Sequence, residues 1–65
     1  MPNPKTDVEV ALVGEDGNAF SILGKVNKAL KRAGHNDLAA EYMKEAMSGD
    51  YDHLLQTTMA YVRIS

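Results

Sequence analysis

Apolar residues recur with two different periods along this chain, and each change of period marks an element. Val8, Val10 and Leu12 alternate with other residues in the run 8–13, which places them on one face of a β-strand. The opposite face is mixed, as expected of an edge strand with one buried side. Residues 14–18 contain two glycines and predict a turn after this strand.

Helical spacing of three and four residues follows the turn. The first helix is predicted over 19–33, with Asn18 as its N-cap and Gly34 just beyond its end. Its apolar stripe consists of Ala19, Ile22, Leu23, Val26, Ala29, Leu30 and Ala33. Phe20 and Gly24 lie outside this stripe. Because glycine inside a helix costs about 1 kcal/mol relative to alanine, we expect another element to pack closely over Gly24, beside Phe20.

The second helix is expected to begin near Asn36 or Asp37, either of which can cap it, and to end at Ser48-Gly49. The loop between the first two helices is short, as in an antiparallel helix hairpin. Methionine and tyrosine residues occur together at helical spacing, namely Met43, Met47 and Met59 with Tyr42 and Tyr51. We interpret them as core residues, the alternative being an adaptable binding surface.

The last segment changes period within itself. Asp50 suits an N-cap, helical spacing continues to about Met59, and 61–64 favours a strand. The chain is therefore predicted to be an α+β domain of order β-α-α-α-β. Three short helices pack on a small antiparallel sheet, which the N-terminal and C-terminal strands form. Residues 1–6, with two prolines, are expected to be a disordered lead-in, and residues 7–65 the single domain.

The chain has 65 residues and no cysteine, which leaves few ways to stabilise it. A domain of this size buries only ~60% of the surface of its unfolded chain. Disulfides are excluded, and two histidines without a thiolate do not suggest a zinc site. We therefore expect a homodimer, in which two small sheets join at their unpaired edges into one four-stranded sheet.

The formal net charge is −2, from seven basic and nine acidic residues. This balance gives no general attraction to nucleic acid or to an anionic membrane, so neither is an expected partner. The chain has no run of about 18 apolar residues and no signal-peptide pattern at its start. We expect a cytoplasmic protein with no membrane segment.

The sequence shows no pair of a candidate nucleophile and a candidate base, which argues against an enzyme. Asp52 and His53 are adjacent, and neighbouring helical residues diverge by about 100°, so the two side chains do not face each other. Asp50, Asp52 and His53 are better explained as a helix cap, a favourable charge near the helix start and a surface residue. We expect no catalytic residue, no metal and no cofactor.

A basic flank follows the first helix: Lys25, Lys28 and Arg32 lie along one side of it with Ser21. These cations are candidates for binding an anion, such as a nucleotide-like ligand. The favoured interpretation is that the flank is a solvated face or pairs with the acidic flank of the second helix, formed by Asp37, Glu41 and Glu45, because surface pairs of this kind are common and weak.

Some residues are not explained by the apolar stripes, and they define a candidate contact surface. The glycine turn at the start of the first helix offers backbone N–H groups to an anion. Its two carboxylates oppose an anion, however, and its spacing matches no phosphate-binding loop, so a simple turn is favoured. The candidate contact residues are Gly14, Asp16, Gly17, Asn18, Phe20, Asp50, Tyr51 and His53.

Two runs, VGEDGNAF over 13–20 and SGDYDHLL over 48–55, resemble a family of short uncharacterised proteins of bacteria and phages. Its members combine VGxDGNAF, a basic helix, SGDYDxLL and a short β-like tail, and the resemblance covers about residues 8–64. It implies a small accessory protein of phage or mobile-element origin and supplies no catalytic residues. The expected function is thus a non-enzymatic interaction protein. The alternatives are a protein that sequesters a nucleotide-like anion and a structural homo-oligomer without a ligand.

Overall fold

The computed structural model describes residues 4–12 and 18–64 of the 65-residue chain. Its elements are β1 (Glu9–Val10), α1 (Ala19–Arg32), α2 (Asn36–Ala46), α3 (Tyr51–Tyr61) and β2 (Arg63–Ile64). Three helices between two paired strands form an α+β fold, so the predicted class and element order are confirmed.

The two strands run parallel, and the antiparallel sheet predicted from the sequence is wrong. Glu9 is in register with Arg63 and Val10 with Ile64, and the N–H of Arg63 donates to the carbonyl of Val8 at 2.8 Å. The reason lies in the connections. Three helices separate the strands along the chain, so the strands are joined by a long crossover connection rather than a hairpin, and such a connection is what a parallel pair requires.

Both strands are only two residues long, shorter than the predicted 8–13 and 61–64. Tyr61 is buried and remains in α3, and Val62, which is 1% exposed, turns the chain out of the helix. Packing of the helix end against the core thus overrides the β-propensity of these residues. Such short strands leave little edge for a second sheet to extend.

The core lies between the helices, and α2 packs against both α1 and α3. The buried residues of α1 are Ile22, Leu23, Val26 and Leu30, all members of the predicted stripe. Facing them are Ala39, Tyr42 and Ala46 from α2 and Leu54, Thr57, Thr58 and Tyr61 from α3. Val10 and Val62 complete the apolar core from the sheet side.

Two of the three helices begin with the N-cap residue that the sequence predicts. The Asn18 side chain accepts from the N–H of Ser21 at 3.1 Å, and that of Asp50 accepts from the N–H of His53 at 2.9 Å. By contrast, α2 is preceded by His35, which makes no side-chain cap, rather than capped by Asn36 or Asp37. Gly34 has φ +87°, a conformation that favours glycine and ends α1 as predicted.

The chain just before β1 packs on the end of α3. The N–H groups of Lys5 and Thr6 donate to the carbonyls of Ala60 and Tyr61 at 3.0 and 3.2 Å. The Thr6 side chain is buried, and its hydroxyl donates to the Tyr61 carbonyl at 2.7 Å. Lys5 and Thr6, which the sequence places in the lead-in, are thus in contact with the packed domain.

Candidate functional site

Several large apolar side chains remain exposed. Among the described residues these are Phe20 (82% exposed), Met47 (58%), Met59 (55%), Ile64 (40%) and Tyr51 (38%). Phe20, Met47 and Tyr51 line one groove. On α3, Tyr51, half-buried Leu55 and Met59 follow at intervals of four residues, so they form one row along the helix. We call Phe20, Met47, Tyr51, Leu55 and Met59 together the apolar face.

The groove lies where α1 begins, α2 ends and α3 begins. It encloses about 310 Å³. Buried Leu23, Ala46 and Leu54 lie at its base. The exposed side chains at its rim are Phe20, Met47 and Tyr51. Phe20 stands outward because the core-facing positions of the first turns of α1 are taken by Ile22, Leu23 and Val26.

Leu55 and Met59 belong to the apolar face because apolar residues cover a wide arc of α3. Leu54, Thr58 and Tyr61 point to the core, and the row that includes Leu55 and Met59 lies beside them. Apolar positions therefore cover two neighbouring stripes of the helix, although the chain itself buries only one of them. A helix with apolar residues over so much of its circumference is typical of one that is covered on more than one side.

The structure brings together three of the predicted contact residues. Phe20, Asp50 and Tyr51 line the same groove, and Asn18 caps the adjacent helix start. Gly14, Asp16 and Gly17 lie outside the described residues. Met47, Leu55 and Met59 were not predicted as contact residues. The four-residue spacing of the α3 row was the available signal, but apolar spacing alone does not tell which stripe faces the core.

His53 belongs to the turn between α2 and α3 rather than to the groove. Its Nε2 lies 3.0 Å from the carbonyl of Glu45, 3.1 Å from Glu45 Oε2 and 3.2 Å from Ser48 Oγ. A Cβ on Gly49 would lie 2.8 Å from the His53 ring, so glycine is needed for this close approach. Carboxylate and hydroxyl share one ring nitrogen, whereas a Ser-His-acid triad uses both. These contacts stabilise the turn between α2 and α3.

The basic flank faces β1. Lys25, Lys28 and Arg32 line a depression of about 310 Å³ together with Glu9, Val10, Ala11 and Ala29. The predicted pairing with the acidic flank of α2 is not found for Glu41 and Glu45, whose described ion pairs are with Lys5 and His53. Among the described residues, the depression thus gathers three cations and one carboxylate beside the sheet.

A polar cluster at the opposite end of α3 joins it to α2. The Tyr61 hydroxyl donates to Glu41 Oε2 at 2.6 Å, and Lys5 Nζ lies 3.1 Å from the same oxygen. The hydrogen bond from Tyr61, followed by that from Lys5 and its charge, lowers the pKa of Glu41. Burial, followed by the hydrogen bond to Glu41, raises the pKa of Tyr61 to about 12. Both groups are held in their ordinary charge states, as expected of a structural contact.

The described residues contain no group of three or more His, Cys, Asp or Glu side chains that could hold a metal ion. Within the same part of the chain, none of the helices has the length and apolar character needed to cross a membrane. Comparison of the chain with protein families, curated proteins and solved structures gave no match. The function is therefore inferred from the surface of this chain.

Proposed function

We propose that this protein is a non-enzymatic accessory protein that acts by binding a protein partner through the apolar face. The observation that carries the proposal is the exposure of Phe20, 82% at the rim of an apolar groove. Burying a side chain of this size contributes about 1.5–3 kcal/mol, so a partner that covers Phe20 gains a large part of its binding energy from one residue.

The composition of the apolar face supports the same proposal. Aromatic residues and methionine are enriched at the centres of protein interfaces, where charged residues are depleted. The face consists of Phe20, Tyr51, Leu55 and two methionines, and the nearby carboxylates are those of the N-cap Asp50 and of Asp52 in the first turn of α3. Contiguous apolar patches of this kind on small proteins mark interaction sites.

The two runs over 13–20 and 48–55 support an accessory role in a second way. They contain Phe20 and Tyr51 and border Met47, and described residues of both runs line the groove. On this basis we place the protein among cytoplasmic accessory proteins of phage or mobile-element origin.

Oxidation of the methionines tests whether the apolar face is covered. Met47 and Met59 are more than half exposed, whereas Met43 packs against the core and provides an internal reference. Dilute purified protein and the same protein in lysate of its source cells are treated with peroxide, and sulfoxide is measured by mass spectrometry. We expect Met47 and Met59 to oxidise several-fold more slowly in lysate, with Met43 changing little.

Two variants make this experiment specific. Phe20→Ser removes the most exposed apolar side chain and should restore fast oxidation of Met47 in lysate. Lys31→Ser, at an exposed position on α1 that does not line the groove, should leave the protection as in the wild type. Equal oxidation of Met47 and Met59 in dilute solution, in lysate and in purified protein at about 500 µM would contradict the proposed function.

Anion binding is the second candidate function, because Lys25, Lys28 and Arg32 line one depression beside β1. The probe is a panel of nucleotides measured by thermal shift, since a ligand at 100 times its Kd stabilises a protein by ~2.7 kcal/mol. Lys28→Ala should abolish a true shift, and Lys44→Ala on α2 should preserve it. A flat response to the whole panel would exclude nucleotides as the ligand.

A further inference from the structure

We propose that the apolar face binds a second copy of this chain, with α3 packed antiparallel on α3 about a two-fold axis. This inference rests on the proposed function and names the partner. It replaces the edge-to-edge sheet expected from the sequence, because strands of two residues offer little edge to extend. The row on α3 offers a longer and more apolar contact.

The row on α3 is complementary to itself. A two-fold interface uses the same patch on both subunits. When two copies of α3 are antiparallel and centred on Leu55, Leu55 meets its own copy, and Tyr51 meets Met59 of the second copy at both ends. Rows spaced by four residues are the ridges that interdigitate in the most common class of helix packing. Methionine sulfur against an aromatic ring is a favourable contact.

The charges at the two ends of α3 favour this direction of packing. Asp50 and Asp52 lie at its start, and Arg63 is the second residue after its end. In the antiparallel arrangement the acidic start lies beside Arg63 of the second copy, twice by symmetry, and the helix dipoles oppose each other favourably. In a parallel arrangement the acidic starts would lie side by side, and so would the two arginines.

The size of the chain makes a second copy a suitable occupant. A typical stable interface buries about 800 Å² per partner, against an accessible surface of 4334 Å² for this protein. Domains of this size without disulfides or metals often gain stability from association. The face has five large side chains rather than a full interface core, so we expect a weak dimer at the low end of the size range.

Exchange of charges across the proposed contact tests the partner and the direction together. Met59→Lys and Tyr51→Glu each place a charge in the apolar row, so each variant alone should sediment as the 7.1 kDa monomer where the wild type reaches twice that mass. Protein concentrations from about 5 µM to about 500 µM cover weak association. Gln56→Lys, outside the row on α3, adds the same charge as Met59→Lys and should dimerise as the wild type does.

Mixing the two variants provides the decisive result. In a mixed antiparallel dimer the introduced lysine meets the introduced glutamate at one end, and an unchanged Met59–Tyr51 contact remains at the other. The mixture should therefore regain dimer, which native mass spectrometry identifies as a one-to-one pair. A parallel dimer brings no such pair together, so absence of rescue would overturn the antiparallel arrangement. Circular dichroism checks that each variant is folded.

The failure of this inference and that of the proposed function are distinguishable. A wild-type chain that stays monomeric over the whole concentration range overturns the second copy as partner. If Met47 and Met59 are nevertheless protected in lysate, the apolar face binds a different protein. If they are not protected there either, both proposals fall.

Discussion

Both ends of α3 have a tyrosine, and the two tyrosines have different surroundings. Tyr61 is buried and donates to Glu41, its ring lies 5.5 Å from the buried ring of Tyr42, and Lys5 lies over it. Tyr51 is partly exposed and lines a groove with Phe20 and Met47. The C-terminal end of α3 is thus enclosed by the chain itself on the side of Tyr61, whereas the row from Tyr51 to Met59 presents apolar surface to the outside.

This difference indicates that different parts of this small protein provide its stability and its binding surface. Every buried side-chain nitrogen and oxygen among the described residues has a hydrogen-bond partner, and the Tyr42 hydroxyl and Thr58 Oγ1, 2.7 Å apart, are among them. Changes at the enclosed end should therefore alter the free energy of unfolding, and changes at the apolar face should alter association.

The largest difference in the free energy of unfolding is expected between two variants, each of which truncates one aromatic residue, one in the core and one on the apolar face. Tyr42→Ala removes a fully buried ring and its bond to Thr58 and should lower the free energy of unfolding by about 3–5 kcal/mol. Phe20→Ala, measured in dilute solution, should change it by less than about 0.5 kcal/mol. Urea denaturation followed by circular dichroism measures both. Similar losses in the two variants would remove the distinction between the two regions.

Removing the Thr6 hydroxyl should have the next largest effect. In Thr6→Val the partly buried N–H of Val8 loses its acceptor and the Tyr61 carbonyl loses one donor. We expect a loss of about 1–2 kcal/mol in the free energy of unfolding. Thr57→Val makes the same change at a buried residue with a longer contact of 3.4 Å to His53, and its cost should be clearly smaller.

Gly24→Ala should stabilise the protein. The sequence predicts close packing over Gly24, but nothing lies within 4 Å of a Cβ built there, so the methyl group meets open space. Alanine should raise the free energy of unfolding by about 0.8–1 kcal/mol. Gly34→Ala is the opposite control, because φ is +87° there and an L side chain costs about 1–2 kcal/mol in that conformation. Destabilisation by Gly24→Ala would show that another segment packs there.

The smallest effect is a loss of stability at alkaline pH, which leaves the stability at neutral pH unchanged. The pKa of Tyr61 rises from 10.0 to about 12 on folding, so the protonated form is favoured in the folded state. Its contribution is complete below about pH 10 and is lost as the pH rises from there toward 12. Burial raises the pKa of Tyr42 and adds a loss of the same sign. The melting temperature should fall over this range, and less steeply in Tyr61→Phe. Equal slopes in the two proteins would show that Tyr61 does not contribute to the loss of stability.

The helices were predictable because their signals are local. The apolar stripe of α1 and the caps Asn18 and Asp50 depend on neighbours three or four residues away. Strand direction was not predictable, since it depends on the path of the whole chain. Thr6 was missed because its partner, Tyr61, lies 55 residues away.

The candidate site was predictable in part for a related reason. Phe20 departs from the stripe of α1, so the sequence marks it as unexplained, and Tyr51 and Asp50 lie beside it in the fold. Met47 and Met59 were interpreted as core because apolar spacing is the same for a stripe that the chain buries and for one that it leaves exposed. Only packing separates these two cases.

Fluorescence of a Phe20→Trp variant tests the central claim most directly, because the chain has no other tryptophan. In dilute solution the introduced indole should emit as a water-exposed group. As the protein concentration rises, the emission should shift to shorter wavelengths, with the same midpoint as the dimer measured by sedimentation, and Met59→Lys in the same chain should abolish the shift. An emission that stays at the exposed wavelength while the protein dimerises would contradict burial of the apolar face by a second copy.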